Sequence, residues 1–184
     1  MMRRLFFFAF LAVLCLCISM VLSCGKLGLK SKPTAPSNGI WKDSTSGLVW
    51  QVTPTGGEMT WSNATAHCKN LTLGGHGDWR LPTISELRSL IRGCPATQTG
   101  GACRVTDSCL NSKCWNDQCL TCSSKSDPGR GAAYWPPDLE VVVSWFWSSS
   151  PVTEGNNLAW GVAFDGGSVY NDDAGNAHGV RCVR

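Results

Sequence analysis

Trp79-Arg80-Leu81-Pro82-Thr83-Ile84-Ser85-Glu86-Leu87 is the stretch on which the reading of this chain turns. Proline ends whatever extended segment precedes it. Thr83 then stands at an N-cap with Glu86 three residues later, the spacing at which the two side chains satisfy each other's exposed backbone amides in a capping box. Leu87, Leu90 and Ile91 supply the apolar stripe of the helix that follows, and Gly93 stops it.

Upstream, Gly74-Gly75-His76-Gly77 reads as a loop. Trp61, Ala64, Cys68 and Leu71 lie three or four residues apart, so Thr60 to Leu71 predicts a first amphipathic helix with Cys68 facing inward. Gly47 to Val52 predicts a strand, and the folded domain begins near Trp41. Downstream, residues 94–122 carry Cys94, Cys103, Cys109, Cys114, Cys119 and Cys122 with few aliphatic residues. So small a segment cannot fold on apolar burial alone. It reads as an insertion ordered by three internal disulfides, and the spacing does not choose their pairing. Val141 to Trp147 predicts a strand broken by Ser148-Ser149-Ser150-Pro151. Leu158 to Phe164 predicts another, Asp165-Gly166-Gly167 a hairpin turn and Ser168 to Asn171 its return. A last strand, Gly179 to Arg184, would place Val180 and Cys182 on one face. The sum is a compact α+β unit with a disulfide-rich insertion.

The first residues read differently. Arg3 and Arg4 precede an apolar run, Leu5 to Leu22, followed by Ser23 and Cys24. This resembles a bacterial lipoprotein leader: residues 1–23 would be removed and Cys24 would carry the lipid. Two or three acyl chains anchor a protein stably, where one does so only marginally. An uncleaved span is the alternative weighed, and the placing of Cys24 favours the leader. Gly25, where an Asp would resemble an inner-membrane retention signal, points to the outer membrane. Residues 24–39, rich in Lys, Pro, Gly and Ser, read as a flexible tether.

Of 11 cysteines, setting aside Cys15, Cys17 and Cys24 leaves eight, an even set that suits an oxidising compartment. The chain has 16 Lys and Arg against 13 Asp and Glu. Without Arg3 and Arg4 it is nearly neutral, which excludes the clustered basic face of a nucleic-acid binder.

The three motif regions, Gly47-Leu48-Val49-Trp50-Gln51, then Trp79-Arg80-Leu81-Pro82-Thr83 with Glu86-Leu87, and finally Phe146-Trp147-Ser148-Ser149-Ser150-Pro151 with Ala159-Trp160 and Val180-Arg181-Cys182-Val183-Arg184, together resemble the Lcl C-terminal domain family of bacterial surface proteins. The resemblance covers about residues 40–184 outside the insert. It implies a C-type-lectin-like fold, two helices on small antiparallel sheets. In such folds a cysteine of the first helix pairs with one on the last strand, which here implies Cys68 with Cys182.

Chemistry finds little support. Trp115-Asn116-Asp117 matches a lectin calcium motif but stands inside the insert. Asp165, Asp172 and Asp173 with Asn171 and Asn176 read as a polar hairpin rather than a calcium site. Cys119-x-x-Cys122 lacks the second pair that zinc needs. His67, His76 and His178 are scattered without a partner in sequence. Ser148 to Ser150 lack the nucleophile elbow, and thiol chemistry of the formylglycine-generating type would need free cysteines. Neither metal nor cofactor is expected. Trp50, Trp61, Trp79, Trp147 and Trp160 are assigned mainly to the core. Position in the lectin-like fold makes Asn156, Asn157, Tyr170, Asn171, Asp172, Asp173 and Asn176 the expected ligand face, for glycan or protein. The alternative is a structural envelope protein that assembles through its insert. Partners would be the membrane, through the lipid, and such a ligand.

The leader reading has a direct test. Mass spectrometry of the chain purified from membranes should show an N-terminus at Cys24 carrying acyl mass; a chain still beginning at Met1 would overturn it.

Overall fold

The computed structural model describes residues 38–54, 56–120, 122, 134–140, 145–155 and 157–184, all within one compact unit, Pro33–Arg184. The leader, Cys24 and nearly all of the tether lie outside the described residues.

A short antiparallel hairpin opens the domain: β1 (Ile40–Lys42) against β2 (Val49–Gln51), with Trp41 opposite Trp50. Asp43 forms its turn, accepting hydrogen bonds from the Thr45 and Ser46 amides and the Ser46 hydroxyl. Helix α1 (Trp61–Asn70) buries Ala64 and Cys68. Helix α2 (Ile84–Arg88) starts with the full capping box: Thr83 accepts from the Glu86 amide and Glu86 accepts from the Thr83 amide. It is shorter than its apolar stripe suggests. Beyond Arg88 the chain tightens into i→i−3 bonds, Leu90 to Leu87 and Ile91 to Arg88, and still buries Leu87, Leu90 and Ile91.

The second sheet is antiparallel in the order β3–β4–β5: β3 (Trp145–Pro151), β4 (Leu158–Ala163) and β5 (Ser168–Asp173). Two expectations change here. The three serines do not break β3. They cause a register irregularity between Trp147 and Pro151 and the strand continues, because Ser148 Oγ donates to the Trp160 carbonyl and Ser150 Oγ accepts from the Ile84 amide. The return strand also runs two residues past Asn171. Residues 141–144, the start of the strand predicted at Val141, lie outside the described residues.

Both faces of this sheet are packed. Phe146, Trp160, Val162 and Val169 join Trp50, Ile84, Leu87 and Leu90 in the main core. Trp147 and Ala159 join Ala64, Cys68, Trp79, Leu81, Val180 and Cys182 in a second cluster beneath α1. Residues 179–184 are not a regular strand. They bridge several neighbours in turn: Phe146 with Gly179, and both Trp50 and Arg80 with Val183. No neighbour is long enough to hold the whole segment as one ladder.

Residues 94–122 do not stand apart as an appendage. Cys94, Cys103, Val105, Cys114 and Cys119 belong to the main core. Their disulfides are nested, Cys94–Cys122 around Cys103–Cys119 around Cys109–Cys114, and a fourth joins Cys68 to Cys182. Buried Arg88 donates to the carbonyls of Thr97, Gln98 and Val105. It supplies donors that this irregular backbone lacks.

The bridges differ in the chain they close, 114 residues for Cys68–Cys182 and 5 for Cys109–Cys114. In the chain-entropy view these are worth about 4.7 and about 2 kcal/mol respectively. Urea denaturation should therefore show a larger loss for the double variant Cys68→Ala/Cys182→Ala than for Cys109→Ala/Cys114→Ala. Equal losses would show that native-state packing, not loop closure, sets their value.

Candidate functional site

Side chains two apart on a strand share a face, so Trp145 and Trp147 of β3 lie together. Opposite them on β4 stand Ala163 and Gly161, and opposite Gly161 on β5 stands Tyr170. Gly161 is required by space: a Cβ there would sit 2.6 Å from the Phe146 carbonyl oxygen. With only the small Gly161 and Ala163 opposite Trp147 and Trp145 on this face of the middle strand, rings from the two outer strands meet across it. Trp145 and Tyr170 stack with centroids 4.8 Å apart at 21°.

His178 extends this row. The Gly179 amide donates to the Trp145 carbonyl and the Trp147 amide to the Gly179 carbonyl, while His178 exchanges both backbone hydrogen bonds with Met59. The imidazole thereby lies 5.0 Å from the Trp145 ring, stacked, and 4.5 Å from Trp147, edge-on. The result is a half-buried aromatic row, Tyr170–Trp145–His178, ending on buried Trp147.

Asp172 closes the polar end. Its Oδ2 lies 2.7 Å from His178 Nε2. Asn176 Nδ2 donates to both carboxylate oxygens at 3.0 Å, and the Asp173 amide donates to Oδ1 at 2.8 Å. Partial burial by itself raises the Asp172 carboxyl; the hydrogen bonds from His178, Asn176 and the Asp173 amide outweigh it and hold the group below its ordinary range. Asp173 Oδ1 accepts from the Gly175 amide and from Asn157 Nδ2. Asn157, at φ 50, also accepts the Ala174 amide.

The seven residues expected to form one ligand face are therefore divided. Strand alternation puts Tyr170 and Asp172 on the aromatic side and Asn171 and Asp173 on the other. Asn157 and Asn176 brace the loop after β5, and Asn156 lies outside the described residues. Both aspartates take hydrogen bonds that hold the loop, as the polar-hairpin reading of these residues requires; Asp172 is half-buried and Asp173 exposed. His178, solitary in sequence, has a positioned partner in Asp172. Trp145 is the residue that sequence reasoning passed over. Its signal was parity: Trp145 and Trp147 stand two apart in a β-prone run.

The other motifs are also engaged structurally. Asn116 caps a short turn through the Gln118 amide and donates to the Ala102 carbonyl, while Trp115 Nε1 donates to the Val169 carbonyl of edge strand β5. Trp50, Trp79, Trp147 and Trp160 are buried, and half-buried Trp61 donates to the Ser148 carbonyl. Among the described residues no three His, Cys, Asp or Glu side chains are grouped to hold a metal ion.

The family model of the Lcl C-terminal domain matches residues 39–184. No curated protein sequence matches the chain.

The depressed Asp172 carboxyl makes a signed prediction. A group with a lowered folded pKa contributes stability above its unfolded value, about 3.9, and loses it as pH falls through the folded value. Asp172→Asn should thus cost about 1.5 kcal/mol at neutral pH and flatten the loss of stability below about pH 4. Thermal melts of both proteins across that range check it; parallel acid limbs would refute the coupling.

Proposed function

This chain belongs to the Lcl C-terminal domain family, and from that premise we propose that it is a lipid-anchored bacterial envelope protein displaying a non-enzymatic, lectin-like recognition module for glycan or protein. The observation that carries the reading is the aromatic row of Tyr170, Trp145 and His178 on a three-stranded sheet. Aromatic rings contribute large contact area at low entropic cost; the Tyr170 hydroxyl donates to the Leu120 carbonyl and His178 Nε2 pairs with Asp172, so it is the rings that would make the contact. Asn157, in the β3–β4 connection, and Asn176, in the loop after β5, are exposed nearby; their amide nitrogens are held by Asp173 and Asp172, and their side-chain oxygens can accept from a ligand.

The cysteines agree with display outside the cytoplasm. All eight after Cys24 are joined in pairs, as an oxidising compartment favours. Thiol catalysis of the formylglycine-generating kind would have no reduced cysteine available among these eight.

The packing also changes how the assembly alternative must be tested. Deleting residues 94–122 would remove core side chains and unfold the domain. Substitutions on the insert's exposed rim, Lys113 and Gln118, leave the core intact.

Detergent-solubilised mature protein should bind a subset of a glycan array or retain an envelope or host surface protein. Tyr170→Ala should weaken that binding roughly tenfold or more, the effect of removing an aromatic anchor. No binding by the wild type, or unchanged affinity in Tyr170→Ala, would sink this reading. Binding lost only in Lys113→Ala/Gln118→Ala would point to assembly through the insert.

A further inference from the structure

A groove of about 430 Å³ lies between the β1–β2 turn, the end of α2 and the start of the Cys-rich segment. None of its lining residues belongs to the aromatic row. Apolar Ile91, Arg92, Asp43, Thr45, Gln98 and Thr99 are among the residues that line it.

Arg92 is held in a particular way. Its Nη1 donates to the carbonyls of Ser89 and Ile91, which fixes the plane of the guanidinium. Both bonds use one nitrogen, and the Nε–Nη2 edge donates to no group among the described residues. That edge carries two parallel N–H donors, the pair a planar carboxylate accepts in bidentate fashion.

Charge in the groove favours an anion of low charge. Arg88 also borders it, buried, with its donors on neutral carbonyls among the described residues, so the lining carries two guanidiniums and one carboxylate. That carboxylate, Asp43, senses the Arg92 charge but pairs instead with the Thr45 amide and with the amide and hydroxyl of Ser46. A monoanion gains from the net positive charge, whereas a phosphate dianion, although its oxygens could also accept from the guanidinium edge, would set a second negative charge against Asp43.

We propose that this groove is a binding site for a small carboxylic acid, its carboxylate seated on the Nε–Nη2 edge of Arg92. The hydroxyls of Thr45 and Thr99 and the Gln98 amide stand beside it to engage polar substituents of the ligand.

The test follows the Arg Nε–H signals of ¹⁵N-labelled mature protein by NMR, titrated at constant ionic strength with acetate and, separately, with inorganic phosphate. Acetate should shift the Arg92 signal saturably and phosphate should bind more weakly. Arg92→Lys keeps the charge and loses the planar edge, and should bind acetate roughly tenfold more weakly. Thr99→Ala, at an exposed position, leaves the fold untouched and should weaken a hydroxy acid such as lactate more than it weakens acetate. No saturable acetate shift, phosphate binding as tight as acetate, or undiminished acetate binding by a folded Arg92→Lys would each overturn the proposal.

Discussion

Both sheets and the first helix are tied to one segment, His178–Arg184. Arg184 exchanges both backbone bonds with Val49, Val183 exchanges both with Arg80, and Gly179 bonds to Trp145 and Trp147, while Cys182 is covalently joined to α1. Alternation lets the segment serve two cores at once. Val180 and Cys182 pack under α1, and Val183 faces the main core. Arg181, fully buried between them, donates to the carbonyls of Gln51, Val52 and Glu140 with its guanidinium 4.4 Å from the Trp135 ring centre. Burial pushes Arg181 down to about 9, yet three carbonyl dipoles and an aromatic face keep it charged at neutral pH. Removing one partner of such a buried charge is costly because the other is left unsatisfied.

Arg88 and Arg181 solve the same problem in two places. Residues 94–122 and 134–140 have little regular structure, so many of their carbonyls lack an amide in reach. A guanidinium has five donors in a flat fork and can satisfy several such carbonyls from one point. Each arginine joins an irregular stretch to an ordered one: Arg88 on α2 to the nested disulfides, and Arg181 the residue 134–140 stretch to β2. The satisfaction is not complete. Arg181 Nε and Trp50 Nε1 are buried with no hydrogen-bond partner among the described residues; a buried donor left unsatisfied costs about 1–3 kcal/mol.

This rigidity extends to the aromatic row. The rings of Tyr170, Trp145 and His178 are placed by strand register and by the bonds of Gly179, so they would lose little freedom on contact with the ligand proposed for this row. The loop beyond β5 is held for a different reason: Asp172 and Asp173 accept from Asn176, His178 and the Gly175 amide, and Asn157 adds a bond from the β3–β4 connection. Side chains that look like ligand donors in the sequence are therefore part of the scaffold.

Local features were legible from the amino-acid order alone. The Thr83–Glu86 capping box, the inward face of α1 with Cys68, the hairpin turn at Asp165-Gly166-Gly167 and the shared face of Val180 and Cys182 depend on neighbours within a few residues, where periodicity and turn chemistry decide the outcome. The even cysteine count and the α+β character were legible for the same reason. The nesting of the three insert disulfides, the burial of Arg88 and Arg181, the partnership of Asp172 with His178 and the stacking of Trp145 on Tyr170 were not. Each depends on which distant strands lie side by side. Gln51 and Arg181, 130 residues apart, meet only once the last segment has been threaded between β2 and Arg80. Composition and spacing specify the pieces, because helices, turns and caps are short-range hydrogen-bonded structures. The partners of buried charges and rings are chosen by packing, which acts only when the chain has closed on itself.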